Sequence, residues 1–369
     1  MKNSLRLFFL FTVSTALSMD FHLAPTGFDT ADGTADRPYR TISAVALVAQ
    51  PVDTLAACLG VNLAVTAPTK LIFDTDIGND CDDAGTLALI HAFIDRGEVD
   101  LLAVMISTRV LTGAACADAI NTYYRRPDIP IGVGKTADNT QTLDDYATYI
   151  AQRYPHDIVP GQEPDAVKLY RQILAAQPDH SVVIAVVGPA TNISHLLDSP
   201  PDEISPLDGV ALVAQKVKFY SAGGNGRANL PSGEAGWNYK WDLAAAANEL
   251  KKMPTTIPFV FAGGSGLTLF TGGGYEQKPE GHIIRVCYEQ HQRRKTNLAR
   301  CSWDQLRVWY AVRGGDNFDT SPPGDITVDG DNIRYSPTPD RNRRYAYVKD
   351  KALAAAQLEE LMMHEPVTP

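Results

Sequence analysis

The chain has 369 residues, 44% of them hydrophobic and 21% charged, which suits a soluble globular protein with one large α/β core. Its formal charge of −10 argues against a phosphate-backbone binder, which needs a basic face. Five cysteines (Cys58, Cys81, Cys116, Cys287, Cys301) lack Cys-x-x-Cys spacing, so neither a zinc ribbon nor a disulfide scaffold is indicated.

Residues 1–18 read as a secretory signal: Lys2 and Arg6, the apolar run Leu7 to Val13, then Ala16-Leu17-Ser18 as a small-residue cleavage site. The run is too short to span a bilayer comfortably. A secreted or periplasmic protein without a membrane span is therefore expected. Residues 19–69 form a separate segment. Its stretch from Phe21-His22-Leu23-Ala24-Pro25-Thr26-Gly27 through Thr41-Ile42-Ser43 to Gln50-Pro51-Val52-Asp53-Thr54 resembles the opening turn of secreted right-handed parallel β-helix proteins. Such a helix needs stacked coils to bury a core, and no further repeat follows, so the segment reads as an orphan cap and linker. Leu55-Ala56-Ala57-Cys58 has lipobox character, but its internal position makes that reading weak.

From residue 70 to about 365 the pattern alternates strand and helix. Strand Leu71–Phe73, helix Ala84–Ile94 and strand Leu101–Ser107 make one βαβ unit. A helix over Ala114–Tyr124 leads to an extended edge, Pro127 to Gly134, bounded by breakers. Helical runs around Tyr146–Tyr154 and Asp165–Ala176 precede the strongest β run, Ser181 to Val187. The basic cluster Arg293-Arg294-Lys295 reads as a solvated helix face. Asp325–Val328 and Asn332–Tyr335 around Gly330-Asp331 predict a β-hairpin, and a helix from about Lys351 to Met363 closes the chain. The expected fold is α/β: a Rossmann-like, mostly parallel sheet flanked by helices, with a small C-terminal hairpin and helix.

The segment Asp74-Thr75-Asp76-Ile77-Gly78-Asn79-Asp80-Cys81-Asp82-Asp83 puts five carboxylates within ten residues, between a buried strand and a helix. An acidic loop with one Asp capping the helix is the plain reading. The strand–loop–helix context favours a ligand site, because ligands of open α/β sheets sit at the carboxyl ends of strands. Charge concentrated there is costly unless a cation neutralises it. Without a His or Cys cluster, calcium suits it better than zinc. Cys81, inside the loop, reads as a small filler rather than a reactive thiol.

Asp-Thr-Asp-x-Gly followed by Asp-Asp and a small-residue helix resembles the N-terminal signature of the calcium-dependent nucleoside hydrolases, Asp-x-Asp-Pro-Gly-x-Asp-Asp. Ile77 stands where proline is common, and two extra residues separate Gly78 from Asp82-Asp83. Later segments match in order, over about residues 70–350. Val187-Gly188-Pro189-Ala190-Thr191-Asn192 is similar to the family's Gly-Pro-x-Thr-Asn stretch; there the residue before the glycine offers its carbonyl to calcium, and Thr191 or Asn192 can also cap a helix. Ser221-Ala222-Gly223-Gly224-Asn225 resembles the glycine-rich strand end that precedes sugar-binding residues. Gly236-Trp237-Asn238 with Asp242 resembles the ribose-binding stretch, Asp242 reading as a helix cap. Ser302-Trp303-Asp304 resembles the His-Asp-Pro stretch that closes the metal site.

The resemblance implies hydrolysis of a nucleoside N-glycosidic bond. Asp76 would be both general base and calcium ligand; Asp83, the Val187 carbonyl and Asp304 would complete the metal site. Asp74 would orient ligands from behind. Asp82, Asn238 and Asn225 would bind the sugar, with Glu234 replacing the usual glutamate at Gly236. Trp303 in place of histidine would stack on the base, which leans towards purines. Arg109 stands where an asparagine often touches ribose and could meet another sugar or a phosphate. A different ribosyl or N-glycosyl substrate, or a non-catalytic sugar binder, are the competing expectations. A small-molecule nucleoside rather than a nucleic acid is the implied partner, and homo-oligomerisation is left open.

Overall fold

The structure is a computed structural model that describes residues 67–135, 138–223 and 231–366. The signal-like residues 1–18, the segment up to residue 66, and Asn225 lie outside the described residues. No helix among the described residues is long and apolar enough to cross a membrane.

The chain opens with β1 (Thr69–Thr75), α1 (Asp82–Asp95), β2 (Val99–Ile106), α2 (Gly113–Tyr123) and β3 (Ile131–Val133). It continues through α3 (Ala147–Ala151), α4 (Ala166–Ala176), β4 (Val182–Val186), α5 (Thr191–Asp198), α6 (Gly209–Lys216) and β5 (Val217–Ser221). Then come β6 (Gly233–Glu234), α7 (Trp237–Lys240), α8 (Leu243–Lys252), β7 (Phe259–Phe261), β8 (Phe270–Thr271) and α9 (Ile283–Gln292). The last elements are β9 (Arg300–Cys301), α10 (Trp303–Arg313), β10 (Phe318–Thr320), β11 (Gly324–Asp329), β12 (Asn332–Pro337), β13 (Arg343–Val348) and α11 (Lys351–Met362).

The main sheet runs β3-β2-β1-β4-β5-β7-β13-β11-β12-β6, with β10 also on β13. From β3 to β13 every pairing is parallel; the C-terminal strands are antiparallel. The expected hairpin is β11–β12, turning at Gly330 with φ +57. It does not stand apart, because β13 inserts beside β7 and joins the hairpin to the sheet edge.

β1 is central and therefore apolar on both faces. Leu71 and Phe73 pack with α1, α2, α9, α10 and α11, while Ile72 packs on the opposite face with α4, α5, α6 and α8. Asp165, Asp208, Asp242 and Asp350 cap α4, α6, α8 and α11 by accepting from backbone N–H groups. α1 has no side-chain cap, and its first-turn acids, Asp82 and Asp83, are buried. The run 293–295 is not on a helix face: α9 ends at Gln292, and Arg293 takes a positive φ of 53 that closes it.

The chain goes from β1 outward to β2 and β3, then returns to β4 on the other side of β1, making a topological switch point. The Val187 N–H donates to the Asp74 carbonyl at 2.7 Å, and the Ser107 N–H to the Thr75 carbonyl at 2.9 Å. The ends of β1, β2 and β4 are thus zipped level, and Asp76 emerges between Ser107 and Gly188. A Cβ at position 188 would run into Ser107 Oγ and lie 2.8 Å from the Asp76 nitrogen. Gly188→Ala is expected to destabilise the protein by about 1–3 kcal/mol through overpacking, read as a lower urea midpoint at unchanged m-value.

Candidate active site

A cavity of about 380 Å³ opens at the switch point. Its lining includes Asp76, Asp80, Asp82, Asp83, Val187, Asn238, His291, Arg300, Trp303, Asp304 and Arg307. The loop after β1 presents Asp76; the first turn of α1 presents Asp82 and Asp83; the first turn of α10 presents Asp304. One oxygen from each of Asp82, Asp83 and Asp304 lies within 4.8 Å of the other two, all three residues being buried. Thr75 Oγ1 donates to Asp83, Gln141 Nε2 to Asp76 at 3.3 Å, and the Asp304 N–H to Asp82 at 3.4 Å. Burial is the main cause that raises every carboxyl of the cluster, with neighbouring carboxylates adding to it: Asp76 to about 6, Asp304 to about 8, and Asp82 and Asp83 well above the usual range.

Five carboxylates line the cavity, and Asp80 is already matched by Arg300, whose Nε lies 2.9 Å from one oxygen and whose Nη2 lies 2.5 Å from the other. Asp76, Asp82, Asp83 and Asp304 remain against the single guanidinium of Arg307. A buried, oxygen-only donor set with uncompensated negative charge fits a hard divalent cation.

Beside the acids lies an aromatic and basic wall. Arg300 sits over the Trp303 ring, 5.3 Å from its centroid. Trp237 also lines the cavity, is 56% exposed, and meets Trp241 edge to face. His291 Nδ1 lies 2.7 Å from the Asn79 carbonyl and 3.0 Å from an Asp145 oxygen. Both are acceptors, so Nδ1 donates there, and Nε2 faces a third acceptor, Asp80, at 3.5 Å.

The structure therefore brings together Asp76, Asp82, Asp83, Val187, Asn238, Trp303 and Asp304. Asn238 Nδ2 donates to the Val187 carbonyl, one of the atoms expected on the metal. Glu234 departs from expectation: it is exposed on β6, at the far edge of the sheet, with its carboxylate on Lys240, and it is not part of the cavity lining. Arg109 is likewise exposed and outside the lining. Asp74 does not line the cavity; it accepts from Tyr170 (2.9 Å) and Asn192 (3.1 Å), with Asp76 close enough to raise its pKa. Thr75 is the β1 residue that steadies a cluster acid. Cys81 is a buried thiol that burial pushes up, as a filler should be. Trp237, His291, Arg300 and Arg307 were missed by sequence reading. Arg307 and Trp237 carried local signals, one lying one helical turn beyond Asp304 and the other next to Asn238.

A carboxylate-rich crevice at the carboxyl ends of parallel strands, walled by indoles, is the arrangement of a hydrolytic glycosidase built on an open α/β sheet. The solved structures most similar in fold include an inosine-guanosine nucleoside hydrolase (19% identity, TM-score 0.60, covering 80% of this chain and 99% of that one). A purine-preferring ribonucleoside hydrolase from Gardnerella vaginalis is similar at 17% identity and TM-score 0.59, covering 79% and 98%. The type III effector XopQ, solved with adenosine diphosphate ribose, is similar at 15% identity and TM-score 0.55, covering 80% and 93%. No curated protein matches the chain. The family profile described as inosine-uridine preferring nucleoside hydrolase matches residues 71–314, and the chain belongs to that family. It is an N-ribohydrolase.

The raised carboxyls have a consequence for stability. In the folded protein Asp76 (about 6) and Asp304 (about 8) stand above the ordinary value of 3.8, so they hold protons that the unfolded chain has released. Their contribution is lost as pH rises from 3.8 through about 8. With chelator present, the melting temperature is expected to fall across that window, and less steeply in Asp304→Asn; a flat profile in the wild type would contradict the assignment.

Proposed function

We propose that this enzyme hydrolyses purine ribonucleosides with the help of calcium. The observation that carries the reading is one cavity lined jointly by a buried carboxylate cluster and two indoles, Trp237 and Trp303. Its volume of about 380 Å³ suits a nucleoside-sized ligand. Asp76, Asp83 and Asp304 would hold the ion together with the Val187 carbonyl. Calcium, when bound, supplies positive charge that orients water and the ribose hydroxyls and acidifies that water.

The chain's own groups do the rest. Asp76, steadied by Gln141, accepts the proton of the attacking water. Asp82 accepts hydrogen bonds from ribose hydroxyls and Asn238 donates to them, holding the sugar while positive charge develops at its anomeric carbon. The indole faces of Trp303 and Trp237 stack on the purine and exclude water from it. An indole has no proton to give a ring nitrogen acceptor of the departing base beyond its own N–H. His291, fixed through Nδ1 by Asn79 and Asp145, is the group placed to protonate that base through Nε2.

Asp76→Ala is expected to fold, by far-UV circular dichroism, and to lose kcat on inosine by on the order of 10² to 10⁴. The wild type should cleave inosine and guanosine faster than uridine, and chelator should abolish release of all three bases. His291→Gln should slow inosine hydrolysis by on the order of 10² while sparing a p-nitrophenyl riboside, whose leaving group needs no proton. Equal losses on both substrates would remove His291 from the leaving-group role. A second reading keeps the machinery and changes the ribosyl compound. It draws on Arg300 in the cavity lining and on the similarity to an effector solved with adenosine diphosphate ribose. Turnover of that compound in preference to every nucleoside would establish it.

A further inference from the structure

Arg307 follows Asp304 by three residues on α10 and is 7% exposed, with its guanidinium in the acid cluster. Its Nη1 donates to Asp304 Oδ1 at 2.6 Å and to the Val187 carbonyl at 3.1 Å. These are two of the oxygens that the proposed function assigns to calcium. The carbonyl's other hydrogen bond comes from Asn238 Nδ2, so both of its lone-pair directions are engaged by side chains.

The slot around the guanidinium is shaped for it. A Cβ on Gly223 would lie 2.5 Å from Cζ and 2.8 Å from Nη1; a Cβ on Gly263 would lie 2.8 Å from Nε. Glycines on these two segments leave room for a planar cation that any larger residue would remove. Nε has no hydrogen-bond partner, so the group is held by its fit and by Nη1 rather than by a saturated network.

We propose that Arg307 is a resident cation of the acidic site, competing with the divalent ion for the Val187 carbonyl and for Asp304. Metal binding then requires the guanidinium to yield those two oxygens, and the site holds calcium more weakly than its carboxylates alone would. In return, the metal-free cluster keeps one compensating charge and stays assembled. The proposal rests on reading this cluster as a cation site and is independent of which nucleoside is cleaved.

Calcium is titrated calorimetrically into chelator-treated full-length wild type and Arg307→Gln, and both are melted with and without the ion. Arg307→Gln is expected to bind calcium tighter by on the order of tenfold or more, because one positive charge leaves the immediate surroundings of the ion. Its chelated form should melt below the wild type and recover on adding calcium. Equal or weaker binding by a folded Arg307→Gln overturns the competition and leaves calcium dependence standing. Binding by neither protein overturns both. If Arg307→Gln does not fold, Gly223→Ala, which pushes the guanidinium from its slot, asks the same question: tighter binding supports the competition and unchanged binding overturns it.

Discussion

The site is governed by the repulsion among carboxylates held together inside the protein. Two unit charges about 4 Å apart, at an effective dielectric of about 20, oppose each other by about 4 kcal/mol. Asp82, Asp83 and Asp304 approach within 4.8 Å, with Asp76 in the same cavity. Two helix N-termini converge on them, since Asp82 and Asp83 begin α1 and Asp304 begins α10. A helix terminus is worth only about 0.3–1 kcal/mol to a nearby anion. Dipoles therefore soften the repulsion without cancelling it, and protons, a guanidinium or a metal ion must supply the remainder.

The scaffold prevents the acids from relieving that repulsion by moving apart. α1 is buried from Asp82 through Phe93, so its first turn cannot tilt outward without opening the core. The strand ends on either side of β1 are hydrogen-bonded level, and Gly188 leaves room against the Asp76 backbone only for a residue without a Cβ. Thr75, Gln141 and the Asp304 N–H each take an oxygen of the cluster, restricting rotamers as well as positions. Geometry is thus paid for by apolar packing behind the site, and the resulting strain in charge is what makes it selective for a cation.

Much of this was legible in the chain. The runs Leu71–Phe73 and Val182–Val186 are continuous apolar strands, which in an alternating pattern imply a parallel sheet covered on both faces. The acid-rich loop between strand and helix then falls at the carboxyl edge by topology alone. Other features were illegible for a physical reason: the stretches around Trp237, His291 and Arg300–Arg307 lie far in sequence from the acidic loop and meet it only when the sheet closes. Asp74 lies behind the cavity, within reach of the charge on Asp76, and accepts from Tyr170 and Asn192. One misreading had a local cause. Glu234 is close in number to Asn238, but β6 pairs with β12 at the sheet edge and carries it outward.

The cavity separates its charges into two groups, and this division bears on how the base could leave. Asp80 is tied to Arg300, which rests on Trp303, so the aromatic wall is close to neutral, while the opposite side gathers the buried carboxyls. Carboxylates favour a developing oxocarbenium. A departing base gains electrons and is served by a neutral or cationic wall that can return a proton. Trp303, at the start of α10, offers a stacking surface and no imidazole. Among the lining residues His291 is the one imidazole, and it reaches the wall from α9 with its second nitrogen anchored by Asp145. A stacking surface and an imidazole thus reach the cavity from two different helices, α10 and α9.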